Sequence, residues 1–165
     1  MSDSVAMEVV GVRVELPTNT PILLLKERDG TRYLPIWIGT PEATAIALAL
    51  EGIETARPLT HDLMKTLLDA LGAEIERVDV TSLDEGTFYA DLVIESEGEE
   101  LTISARPSDA IALATRSGAP VFASKALLDE AGIEIHDDNE EAEIERFREF
   151  LDDVTPEDFE HDSTS

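Results

Sequence analysis

Cysteine is absent from all 165 residues. That excludes disulfide staples, thiolate metal sites and a cysteine nucleophile. Basic residues are scarce: nine Arg and three Lys stand against 37 acids, a net charge of −25. Long apolar runs are missing too. No stretch approaches the roughly 18 apolar residues of a spanning helix, so no membrane span is expected. The start, Met1-Ser2-Asp3-Ser4-Val5, lacks the basic and apolar blocks of a secretory signal, and the expected location is the cytoplasm. Aromatic residues make up 5% of the chain and are not interleaved with basic ones. That pattern speaks against an extended nucleic-acid platform. Phosphate-binding loops of the G-x-x-x-x-G-K-[ST] and G-x-G-x-x-G types are absent, as are H-E-x-x-H and G-x-S-x-G.

What is present is acid, and it is unevenly spread. Residues 129–165 hold sixteen of the 37 acids and two of the twelve bases. Such a surface repels phosphate backbones at long range. It suits a concentrated-salt cytoplasm, where ions screen self-repulsion within a few ångströms. The other reading places the acids away from a small cationic site. Hydrophobic residues, at 42%, suffice for one domain with an ordinary core.

Alternation predicts a strand over 5–16, with Val10, Val12, Val14 and Leu16 on one face. Ile22–Glu27 and Arg32–Ile38 follow as a hairpin around Asp29-Gly30. Pro35, lacking a donor, predicts an edge or bulge. Thr40 is expected to cap a helix Ala43–Leu50, with Pro41 and Glu42 at its start. That helix is all Ala, Thr, Ile and Leu, so it belongs in the core or between subunits. Thr60 is expected to cap His61–Leu71, closed by Gly72, with Leu63, Leu67, Leu68 and Leu71 as its apolar stripe. A three-stranded meander follows over Glu74–Leu83, Phe88–Glu95 and Leu101–Ala105. Then come a helix Ser108–Ser117, a short strand near 119–123, a Ser124-capped helix Lys125–Ala131 and a loop over Ile133–Asn139. Glu140–Asp153 reads as an acidic helix with Ile144, Phe147, Phe150 and Leu151 on one stripe, and Thr155–Ser165 as a disordered tail. The whole is expected to be α+β: a mixed or antiparallel sheet of two strand blocks packed with helices.

Two junctions stand out chemically. Ala56-Arg57-Pro58-Leu59-Thr60-His61-Asp62 and Ala105-Arg106-Pro107-Ser108-Asp109 each put an arginine before a proline at a helix start. Proline holds the preceding arginine extended. The helix beyond offers free N–H groups and a positive dipole end, so each junction can serve an anion. The plainer alternative has Asp62 and Asp109 stabilising helix starts, each paired with its arginine. His61, the one histidine inside the expected fold, fits either a general base oriented by Asp62 or a capping residue. Glu42, Glu51, Asp62 and Asp109 would bind a hard cation such as Mg2+ only if the fold gathered separate helix ends.

Four stretches occur in order: Leu34-Pro35-Ile36-Trp37-Ile38-Gly39, Glu42-Ala43 with the Ala-rich helix, Arg57 to Leu63, and Ala105 to Leu113. Together they resemble the bifunctional nuclease (DNase/RNase) domain family. The resemblance covers residues 5–135, so the expected domain is 1–135, with an acidic helix and tail over 136–165. It implies self-association and phosphodiester hydrolysis of DNA and RNA. On that reading Arg57, Arg106 and Ser108 bind substrate. His61, Asp62 and Asp109 supply catalysis, and Glu42, Asp62 and Asp109 hold a metal, Mg2+, if one is used. The other reading is a non-enzymatic oligomeric module for a small anion or a protein partner. It draws on the acidity and on the missing catalytic motifs.

If the charge reflects adaptation to concentrated salt, the melting temperature should rise steeply from dilute to molar KCl. A flat thermal-unfolding response would point instead to a partner for the acidic tail.

Overall fold

The computed structural model describes residues 3–15 and 17–134. The acidic helix and tail expected after residue 136 lie outside these. The elements in chain order are β1 (Ser4–Glu15), β2 (Thr20–Glu27), β3 (Arg32–Trp37), α1 (Thr40–Glu51), α2 (Thr60–Ala70), β4 (Ala73–Asp84), β5 (Thr87–Ser96), β6 (Glu99–Ala105), α3 (Pro107–Ser117), β7 (Val121–Ser124), α4 (Lys125–Ala131) and β8 (Ile133–Glu134). The fold is α+β, as expected. The two strand blocks join in one eight-stranded mixed sheet, ordered β6-β5-β4-β7-β1-β2-β3-β8. β7 is the joint: it runs antiparallel to β1 and parallel to β4.

Local chemistry explains most of the strands. The β4–β5 and β5–β6 hairpins turn at Glu85-Gly86 and Glu97-Gly98, where both residues have positive φ. Those values suit the tight turn that matches the twist of flanking strands, and glycine takes the second of them freely. Pro35 pairs with Leu24 of β2 on one side of β3. On the other side β8 reaches only Arg32 and Tyr33. Pro35 therefore faces no strand where its missing donor would be needed, and the edge reading holds. β8 itself lies where a loop was expected from Ile133.

β1 departs from simple alternation. Its register against β2 shifts between Val9 and Gly11. A bulge flips which face each later residue takes. Val5, Met7 and Val9 pack toward the core before it and Val12 after it, while Val10 and Val14 are exposed. The expected single valine face is therefore wrong.

The core joins both halves of the sheet to the helices: Leu23, Leu25, Leu34 and Ile36 meet Val78, Val80 and Leu92, with Ile46, Ile111, Leu113, Leu127 and Leu128 packed against them. One face of the Ala-rich helix lies in the core. Ala43, Ala45 and Ile46 of α1 are buried, and the small residues of α1 and of α3 let the two helices pack closely. α2 overturns expectation. Leu63, Leu67 and Leu71 are exposed, Leu68 is half-buried, and the buried residue is His61. The caps of α1 and α2 also differ. Gly39 and Leu59 are the N-caps, and neither Thr40 nor Thr60 caps through its side chain. The ends are set by backbone and acid contacts instead.

Ser124 behaves as expected. Its hydroxyl accepts from Leu127 N–H at 3.1 Å and donates to Thr81 O at 2.9 Å, tying α4 to β4. Ser124→Ala should lower the unfolding free energy by about 1–2 kcal/mol, read from urea denaturation.

Candidate functional site

Each of the first three helices carries an acid at the third position of its first turn: Glu42 in α1, Asp62 in α2 and Asp109 in α3. A carboxylate there offsets the unsatisfied N–H groups and the positive end of the dipole. The fold then packs these starts against one another. The first turns of α1 and α3 meet, and the first turn of α2 lies along α3.

Arg106, the N-cap of α3, makes the meeting possible. Its Nε donates to Asp109 Oδ2 at 2.8 Å, and its Nη2 donates to Glu42 Oε1 at 2.6 Å. Asp109 accepts from His61 through its other oxygen, with Oδ1 2.9 Å from Nε2. Glu42, Arg106, Asp109 and His61 thus form one unbroken hydrogen-bonded chain across three helices. With one Asp109 oxygen taken by the Arg106 guanidinium, the other is an acceptor facing His61, so an N–H at Nε2 fits the contact. The environments differ sharply along the chain. Glu42 and His61 are 8% and 7% exposed, whereas the Arg106 side chain is 66% exposed. Asp109 is the main reason that the Arg106 guanidinium holds its proton more tightly than usual.

Gly39 supports Glu42 by having no side chain. A Cβ there would stand 2.7 Å from Glu42 Oε2. That oxygen is the one buried side-chain polar atom without a hydrogen-bond partner among the described residues. Glu42 is thus seated in a space that only glycine leaves open. The φ of Gly39, −82°, is ordinary, so space and not backbone freedom is the reason.

Asp62 belongs to a second network. Its Oδ1 accepts from Arg116 Nε at 2.6 Å and its Oδ2 from Leu59 N–H at 2.9 Å. Arg116 also donates to Ala112 O at 2.8 Å, in its own helix. The Arg116 hydrogen bond first, and the Leu59 amide second, hold the Asp62 carboxyl below its ordinary range. Arg57 does not pair with Asp62. It is exposed on the loop before α2 and makes no side-chain ion pair among the described residues. Ser108 is buried at the start of α3. Arg116 is the residue that the sequence reading missed. Its signal was its spacing of seven from Asp109, which puts both on one face of α3.

The residues do not form a metal cage as they stand. Arg106 occupies oxygens of both Glu42 and Asp109, and Arg116 occupies Asp62. Glu51 is exposed at the far end of α1. Among the described residues no three His, Asp or Glu side chains are grouped to hold an ion. The donor set does not fit a divalent cation in this arrangement. No helix among the described residues is long and apolar enough to cross a membrane.

Comparison with known proteins bears on this constellation. The family model of the bifunctional nuclease domain matches residues 23–136, which include every member of both networks. An uncharacterized protein of Mycobacterium tuberculosis is 50% identical over 161 residues, covering 93% of this chain and 96% of its own length. Bifunctional nuclease 2 of Arabidopsis thaliana is 30% identical over 128 residues, 74% of this chain and 39% of the plant protein. Bifunctional nuclease 2 of rice is 28% identical over 117 residues, 68% of this chain and 36% of that protein.

The Asp62–Arg116 pair carries a pH signature. A carboxyl held below its ordinary value of about 4 adds stability that is present above that value and lost as pH falls through the lowered one. Asp62→Asn should therefore cost about 1 kcal/mol at neutral pH, a small figure because solvent screens a pair this exposed. In urea titrations the gap from wild type should close as pH drops below about 4.

Proposed function

Because the chain belongs to the bifunctional nuclease domain family, we propose that it hydrolyses phosphodiester bonds of DNA and RNA at the Glu42–Arg106–Asp109–His61 chain. The observation that supports this most is the pairing of a buried, carboxylate-oriented histidine with an arginine that keeps one edge open to solvent. Asp109 holds the His61 ring through Nε2, leaving Nδ1 to take a proton from an attacking water. The water oxygen bonds to phosphorus as the ester bond to the leaving nucleotide breaks. The departing oxygen takes up a proton from solvent, and His61 returns the proton it accepted to solvent. The open edge of Arg106 neutralises charge growing on the phosphoryl oxygens; Arg57, exposed on the loop before α2 and without an ion pair among the described residues, is the candidate for a second cation. Glu42 and Gly39 serve by fixing where Arg106 points. The buried position of Ser108 favours a structural part at the α3 start over direct contact with substrate. With each of the three acids held by an arginine, the step draws on the arginines and His61, and Mg2+ is left to the assay.

One observation favours the second reading, a binding module without catalysis. Arg106 and Arg116 are already engaged by carboxylates, and the chain carries −25 overall. Such a site suits a small phosphate-bearing ligand better than a long backbone in dilute salt. Self-association, which the resemblance implied, is supported by the outward leucines of α2. An exposed stripe of this kind is uncommon on a lone chain.

Purified wild type should cleave single-stranded DNA and RNA, assayed both in Mg2+ and in EDTA. Arg106→Ala and His61→Ala should each lower the rate about 100-fold or more, compared on protein shown folded by circular dichroism, with Arg106→Lys, which keeps a cation beside Glu42, replacing the alanine variant if that unfolds. Activity that survives both substitutions overturns the assignment. Nucleotide binding without cleavage, abolished by Arg106→Ala, selects the second reading.

A further inference from the structure

We propose that two copies of this chain join through the free edge of the sheet, β6 against β6, in antiparallel pairing about a twofold axis at Thr102. The proposal rests on the self-associating reading above and names its surface.

β6 is the terminal strand of the order, bonded only to β5. Such an edge presents a row of unpaired backbone N–H and C=O groups and is normally guarded by lysine, proline, a bulge or a covering element. Charge can guard an edge too, but in β6 it sits only at the start, in Glu99 and Glu100. From Leu101 to Ala105 the strand has no charge, proline or bulge, and no element among the described residues covers it. Residues 99–104 are all exposed, and its register with β5 is regular throughout. Leu101 and Ile103 stand opposite Ile94 and Leu92, both buried. The two exposed side chains therefore continue the core face outward past its last covered row.

The strand is complementary to itself. It begins with Glu99 and Glu100, runs uncharged from Leu101 to Ala105, and leads into Arg106. Antiparallel pairing with Thr102 opposite the partner's Thr102 sets Leu101 against the partner's Ile103, and the reverse by symmetry. Apolar pairs meet directly across the junction. The acids of one copy fall beside the arginine end of the other and not against the other copy's acids. In a chain of −25, this uncharged run is a place where two copies touch without opposing like charges.

The row that ends at Leu101 begins beneath α2. α2 covers the start of β4, where Lys65 and Leu68 line a depression with Ile75. Ile75 pairs with Ile94, and Ile94 with Leu101. Leu101 thus lies two strand spacings, roughly 10 Å, from the strand residue beneath α2.

The chain has no native cysteine, so Thr102→Cys gives a clean probe. Opposed residues of antiparallel strands stand about 4.5–5.5 Å apart at Cα, within disulfide reach. Wild type should sediment at twice the 18.0 kDa chain mass. Oxidised Thr102→Cys should run as a covalent dimer under non-reducing denaturing conditions. Leu101→Lys with Ile103→Lys, both at exposed positions, should halve the native mass while far-ultraviolet circular dichroism is unchanged. A wild type that sediments at the single-chain mass overturns both the self-associating reading and this surface. That includes the case in which the chain's own residues beyond 134 cover the edge. A dimer that neither cross-links nor responds to the lysines overturns the surface alone.

Discussion

A carboxylate cannot be buried without a cation or donors to receive it, and helix starts cannot be packed together without negative charge between them. Arg106 meets both demands in this protein. Glu42 and Asp109 offset the positive ends of α1 and α3, and the guanidinium between them offsets the carboxylates. Asp109 passes the connection to His61 and so to α2. Arg116 closes the other side through Asp62. α3 is therefore the hub. The arginine at its start holds α1, the arginine in its last turn holds α2, and its small residues bury against the sheet.

The same arrangement explains why α2 faces the wrong way. His61 and Asp62 point inward because α3 carries their partners. A helix turned so that these residues face inward must turn Leu63, Leu67 and Leu71 outward. The apolar surface so exposed is the cost of gathering the polar residues, and an assembly that covers it removes that cost. The polar contacts at the α2 start and its exposed outer stripe thus have one structural origin. The consequence is a constellation nearly neutral within itself, set in a strongly acidic molecule. An anion that reaches it is drawn by the local exposed guanidinium of Arg106 and not by the field of the whole surface.

Much of this was legible before any coordinates. The meander from β4 to β6 follows from alternation and from Gly86 and Gly98. Ser124 announces α4, and Pro35 announces a strand with one unpaired side. The acids at Glu42, Asp62 and Asp109 were recognisable as helix-start residues, and the four stretches pointed to the family that the comparisons then showed. The misses share a cause. A bulge at Val10 changes the face of every later residue in β1, and nothing in the valine pattern marks it. Thr40 and Thr60 have good cap chemistry, but an acid three residues into each helix and the packing of the starts decided otherwise.

Local chemistry therefore determined which segments become strands and helices, where they turn, and which residues sit at helix starts. These depend on short-range sterics, hydrogen bonding and alternation. Only the tertiary structure decided which starts meet. It gave Arg106 to Glu42 across 64 residues, His61 to Asp109 across 48 and Asp62 to Arg116 across 54. Pairings at such separations carry no local signature. They arise when the sheet brings distant helices together and buried charge must find its opposite.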